Sequence, residues 1–278
     1  MAHLAVTSTM TSLLLLTAMF SALFIGQSLA VTSYIIPPIR SSGPEAAVIF
    51  VPGARIDGKA YEATARAIQA ASNIRLWVAL TGNYTLNNMA TPLDLPGAMR
   101  GAYAKLQKAG MKGDKYVGVG HSLGGVFLPP YAKHSPLKAV VLLGAYLTKG
   151  NSLSEYPLPV LTLSAELDGQ TRITRIAETY EELLKDISTA PASLYRTPVL
   201  NIAGACHAQF ASGKMPATVV KYDLHPDISE AAAHRQIGQH VSDFLTVSLQ
   251  IGDVTKGKAA LRQAFNDAGT RFKVKDVL

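Results

Sequence analysis

The segment Lys115–Gly125 constrains this chain more than any other. A short apolar, β-branched run, Tyr116–Gly120, leads directly into Gly120-His121-Ser122-Leu123-Gly124, and a helix-compatible segment follows. This is the G-x-S-x-G pattern in the setting it needs, a strand, a sharp turn and a helix. Lifting a serine hydroxyl clear of a sheet requires a strained backbone at Ser122. Side chains at positions 120 and 124 would then collide with the neighbouring strand and helix, so both are glycine. The helix that starts after Ser122 turns its free N–H groups toward the place where negative charge would develop.

The same alternation runs along the chain. Strands are expected at Ala46–Val51, Ile74–Leu80, Tyr116–Gly120, Lys138–Leu143, Val160–Ser164 and Val199–Ala203. Helices are expected at Gly58–Ser72, Leu95–Ala109, Leu123–Lys133, Thr171–Ile187 and Ser229–Leu249, with Pro129-Pro130 ending or kinking the third early. Near-continuous apolar strands separated by helices imply an α/β fold, a mostly parallel central sheet with helices on both faces. Leu147–Pro159 is too short for a cap domain, so an open site is expected. The short segment before Ala46 leaves little room for leading antiparallel strands.

Residues 1–30 contain no Lys, Arg, Asp or Glu, and the apolar run Leu13–Ile25 is followed by small residues at Gln27-Ser28-Leu29-Ala30. That run is short of the roughly 20 residues a membrane span needs. A cleaved secretory signal is expected, with the mature domain over 31–250, in a secreted or secretory-lumen protein; an uncleaved anchor is the alternative. The basic n-region usual in such signals is absent. The net charge of +7 (26 Lys and Arg against 19 Asp and Glu) is spread without a dense basic block, which disfavours nucleic-acid binding and mildly favours anionic partners or membrane surfaces. Cys206 is the only cysteine, so the core must hold the fold without an intrachain disulfide. Asn83-Tyr84-Thr85 is an N-glycosylation sequon, and residues 251–278 read as a polar, basic tail.

A serine hydroxyl needs a histidine to take its proton, and that histidine needs a carboxylate to fix its tautomer. In parallel sheets reactive groups collect beyond the carboxyl ends of strands, here in the order Ser, acid, His. Asp168, in a turn closed by Gly169, is the acid candidate, with Glu166 its rival. His207, just past the last strand, is the base candidate, with His225 the rival. His121, inside the elbow, reads as structural; His134, His234 and His240 read as surface residues. Cys206 reads as a small buried apolar residue rather than a nucleophile. Donors for an oxyanion are expected at the Leu123 N–H and, from the loop Pro52-Gly53-Ala54-Arg55, at Ala54. Arg55 reads either as a ligand for a substrate carboxylate or as a solvent-exposed arginine.

On these motifs, namely Val51-Pro52-Gly53-Ala54 with Tyr61 nearby, Gly120–Gly125, Leu167-Asp168-Gly169 and Gly204–Phe210, the chain resembles the α/β-hydrolase superfamily over about Ala46 to Phe244. It looks closest to the uncapped dienelactone-hydrolase-like and chlorophyllase-like enzymes. The resemblance implies Ser122 as nucleophile, Asp168 as acid and His207 as base; Tyr61 is expected at the substrate, and no metal or organic cofactor is expected. Dienelactone hydrolases commonly use a cysteine nucleophile; serine here favours small-molecule ester or lipid substrates. The function expected is therefore serine-dependent cleavage of carboxylic esters through an acyl-enzyme. The alternatives are peptide, thioester or acyl-transfer chemistry on the same residues, or a non-catalytic binding protein on the same fold.

Overall fold

The computed structural model describes residues 32–272. The secretory-signal reading of residues 1–30 lies outside them. The strands are β1 (Thr32–Ile36), β2 (Glu45–Val51), β3 (Arg75–Gly82), β4 (Tyr116–His121), β5 (Leu137–Leu143), β6 (Val160–Ala165) and β7 (Val199–Ile202). They form one sheet in the order β1-β3-β2-β4-β5-β6-β7. Only β1 runs antiparallel, pairing Ser33 with Thr81 on β3; the other pairs are parallel. β1 is the single leading antiparallel strand that the short N-terminal segment accommodates. Every residue of β4 and β6 is buried, which is why these strands read as unbroken apolar runs rather than as an alternation.

The helices are α1 (Glu62–Ala71), α2 (Leu95–Lys108), α3 (Leu123–Ala132), α4 (Ile173–Thr189), the single turn α5 (Ser193–Arg196), α6 (Ala217–Tyr222), α7 (Glu230–Ser248) and α8 (Val254–Phe272). From β2 the chain steps one way to β3, then back across β2 to β4. Right-handed crossovers therefore put α1 and α2 on opposite faces of the sheet. The reversal opens a crevice at the carboxyl ends of β2 and β4, where the loop after Val51 meets the elbow after His121.

Two expectations give way. Pro129 and Pro130 do not end α3, which runs through them to Ala132. Leu128, Pro129 and Ala132 are buried, and the Pro129 carbonyl accepts the Tyr156 hydroxyl at 2.7 Å, so packing outweighs the lost intrahelical bonds. The stretch 251–278, read as a tail, contains α8, whose Leu261, Phe265, Ala268 and Phe272 are buried. Phe265 and Phe272 pack on Tyr180 of α4, with ring centroids 5.0 and 4.9 Å away. Between β5 and β6 the chain forms only turns, and no large cap covers the site.

Candidate active site

Ser122 sits between β4 and α3 with φ 51° and ψ −120°, a conformation that costs a non-glycine residue roughly 1–3 kcal/mol. The surroundings hold it there. The Ser122 N–H donates to the Leu143 carbonyl at 3.0 Å, and the Gly125 N–H donates to the Ser122 carbonyl at 2.9 Å. A Cβ at position 124 would lie 2.3 Å from the Val51 carbonyl oxygen, and one at 120 would lie 2.7 Å from the Gly125 Cα. Glycine at both is the steric condition for the turn.

Asp168 and His207, from the loops after β6 and β7, are brought together. His207 Nδ1 lies 2.8 Å from Asp168 Oδ2, and the two side chains are 1% and 2% exposed. Asp168 Oδ1 accepts the Gln170 and Thr171 N–H groups at 2.8 and 2.6 Å, so both oxygens are committed. With its Nδ1–H donated to Asp168, neutral His207 carries its lone pair on Nε2. That atom is buried and has no hydrogen-bond partner among the described residues. Glu166, the rival acid, instead accepts the Gly204 N–H at 2.8 Å and lies 3.6 Å from Arg271. His225, the rival base, is exposed.

His121 is wholly buried beneath this pair, its ring centroid 4.5 Å from that of His207. Burial first, and then the neighbouring His207, hold it well below the ordinary value of 6.5. Neutral His121 takes the Tyr61 hydroxyl at Nδ1, 2.7 Å away, and the same hydroxyl accepts the Gly53 N–H at 2.9 Å. Tyr61 is 0% exposed, so the expectation that it touches substrate is corrected: its hydroxyl is spent fixing the loop after β2. In that loop the N–H groups of Gly53, Arg55 and Ile56 are bonded to Tyr61, Asn88 and Gly53 respectively. The Ala54 N–H has no acceptor among the described residues, nor has the Leu123 N–H at the start of α3. Arg55 is exposed, with φ 61°.

Cys206 is buried and opens the short helical turn His207–Phe210, its carbonyl accepting the Gln209 N–H at 3.2 Å and its own N–H donating to the Gln209 side-chain oxygen at 3.1 Å. Burial and the Asp223 carboxylate push the thiol up to about 11, the opposite of a reactive cysteine. Asp223, which sequence reasoning missed, accepts the Gly169 and His207 N–H groups on Oδ1 at 3.0 and 3.1 Å, and the Ala208 N–H on Oδ2 at 2.7 Å. It therefore ties the Asp168 loop to the His207 loop. His134 is exposed as expected; His234 is buried and His240 half-buried, against the surface reading. Among the described residues no cluster of three or more His, Cys, Asp or Glu side chains could hold a metal ion.

A parallel sheet with a strained serine elbow and an Asp–His pair on later strand ends defines a class, that of hydrolases on a doubly covered α/β sheet. Residues 47–215 match the model of the Alpha/beta hydrolase family. The chain belongs to that family. No curated protein matches it in sequence. Among solved structures it is similar to the esterase domain of a Rhodothermus marinus protein (15% identity, TM-score 0.51, covering 77% of this chain and 92% of that one). It is also similar to Est1E from Butyrivibrio proteoclasticus (11% identity, TM-score 0.52, covering 78% and 94%). Est1E with ferulic acid bound gives 10% identity and the same TM-score over 79% and 96%. At these identities the likeness shows the fold alone.

Proposed function

We propose that this chain is a serine hydrolase that cleaves carboxylic esters of small molecules through an acyl-enzyme. The observation that carries the reading is the Asp168–His207 pair at 2.8 Å, with Nε2 left unpartnered beside the elbow that presents Ser122. In this reading Nε2 takes the Ser122 Oγ proton as Oγ attacks the ester carbonyl. Asp168 keeps the proton on Nδ1 and stabilises the imidazolium. The unbonded N–H groups of Ala54 and Leu123 receive the oxyanion. Collapse of the tetrahedral intermediate expels the alcohol, which takes the proton from Nε2. His207 then activates water, and hydrolysis of the acyl-serine returns the free enzyme. Esterases among proteins of this fold make an ester the first bond type to test, before an amide or thioester.

A fluorophosphonate probe tests this directly. Wild-type protein is expected to label, and Ser122→Ala and His207→Ala are not. Folded wild-type protein that neither labels nor hydrolyses 4-nitrophenyl acetate would sink the reading and leave a binding protein on this fold. The secretory location belongs to the same proposal, on the uncharged apolar stretch before residue 31. Mass spectrometry of protein recovered from its native host is expected to find Val31 near the N-terminus; an intact Met1 in a membrane fraction would favour the anchor instead.

A further inference from the structure

We propose that the cavity beside Ser122 selects esters that carry a carboxylate on a short arm, and that Arg172 recognises it. The inference rests on the esterase reading above and names its substrate class.

The cavity has a volume of about 330 Å³ and is bounded by Ser122 itself. Leu123 and Val126 of α3 form an apolar wall, faced by Thr148, Thr171 and Arg172. Arg172 is the only charged residue among those lining it. Its guanidinium has no hydrogen-bond or ion-pair partner among the described residues. Arg66, Arg75, Arg175 and Arg271 each pair with a glutamate, whereas Arg172 pairs with no carboxylate among the described residues.

The acids close in sequence are already engaged. Both Asp168 oxygens are taken by His207, Gln170 and Thr171, and Glu178 pairs with Arg175 at 2.8 Å. Arg172 is solvent-exposed and stands at the rim of the cavity as a cation without a counter-ion among the described residues, where a substrate carboxylate would meet it in a charge-assisted hydrogen bond. The start of α4 adds potential of the same sign, because its first turn holds no acidic residue and no side chain caps it. Arg55, which the sequence offered for a substrate carboxylate, is not among the lining residues. Further from Ser122 the adjoining depression sets Glu178 and Glu182 beside Arg175 and Lys149, so it offers an anion no net positive charge, unlike the cavity at Ser122.

Two matched pairs of esters test the inference, each differing by a carboxylate in place of a terminal methyl. Monomethyl glutarate is compared with methyl pentanoate for the acyl arm, and γ-acetoxybutyrate with butyl acetate for the alcohol arm. The readout is the ratio of kcat/KM, anion over neutral, in each pair. In at least one pair Arg172→Gln is expected to lower that ratio about tenfold, chiefly through KM, and Arg172→Glu to lower it further. The wild-type ratio is expected to fall with added salt. Ratios unchanged by both substitutions in both pairs would overturn the inference while leaving the esterase reading intact. Turnover of none of the four esters, together with no fluorophosphonate labelling, would overturn that reading, and this inference with it.

Discussion

Asp168 shows how one side chain divides its work. Oδ2 serves His207, while Oδ1 holds the turn that places it. Asp168→Asn keeps a carbonyl oxygen for the turn but loses the charge that fixes the His207 tautomer. It is expected to lower kcat on 4-nitrophenyl acetate by about 10^4-fold with little change in melting temperature; a loss below about tenfold would argue against the role. Tyr61→Phe separates support from chemistry. It strands the buried Gly53 N–H and His121 Nδ1, each at a cost of about 1–3 kcal/mol, so the urea midpoint is expected to fall markedly. At this scale Asp168 and His207 are legible in sequence because each follows a strand end, where parallel topology gathers side chains. Tyr61 was misplaced because nearness to the loop after β2 carries no information on which way a ring is buried.

Elements are joined by contacts that no spacing rule predicts. Asp223 lies just past α6, and its partners are main-chain N–H groups, which have no sequence signature. Gly169 is required opposite it, since a Cβ there would come within 1.9 Å of the Tyr222 carbonyl oxygen. Asp223→Ala is expected to lower kcat and the fluorophosphonate labelling rate by about 10–100-fold, with KM little changed, because small displacements of His207 are costly. Asp223→Asn, which keeps one acceptor, should recover part of the loss; equal defects in both variants, tracking stability alone, would reduce Asp223 to a structural residue. α8 escaped notice for another reason. Its inward face uses small residues, Gly257, Ala268 and Gly269, beside only three large ones, Leu261, Phe265 and Phe272, so the segment reads as polar. Truncation after Gln250 would uncover Tyr180 of α4, and each large apolar side chain lost from the core removes about 1.5–3 kcal/mol. The truncated chain is expected to lose its cooperative urea transition, whereas Lys258→Ala on the exposed side should retain it.

At the scale of the whole molecule, histidines kept neutral by burial make stability depend on pH. Burial lowers His121, His234 and His240, the last to about 4, with Asp267 opposing its shift. Folded pKa values below the unfolded value of 6.5 mean that the unfolded chain binds protons first as the pH falls. Stability is therefore complete above about pH 6.5 and declines below it, by up to about 1.4 kcal/mol per pH unit for each such histidine. Carboxylates act lower down. Burial alone would raise Glu45, but bonds from Trp77, Gly113 and Lys112 and the nearby Arg75 hold it below 4.5, so its contribution is lost only in stronger acid. Asp243, raised from 3.8 by burial, works in the opposite direction to Glu45. The window from pH 6.5 to 5 thus belongs mainly to the histidines. Urea unfolding at pH 7, 6 and 5 is expected to show a falling free energy, and His240→Gln is expected to flatten that fall by about one proton's worth. A slope identical in wild type and His240→Gln would mean that His240 titrates alike in the folded and unfolded chain.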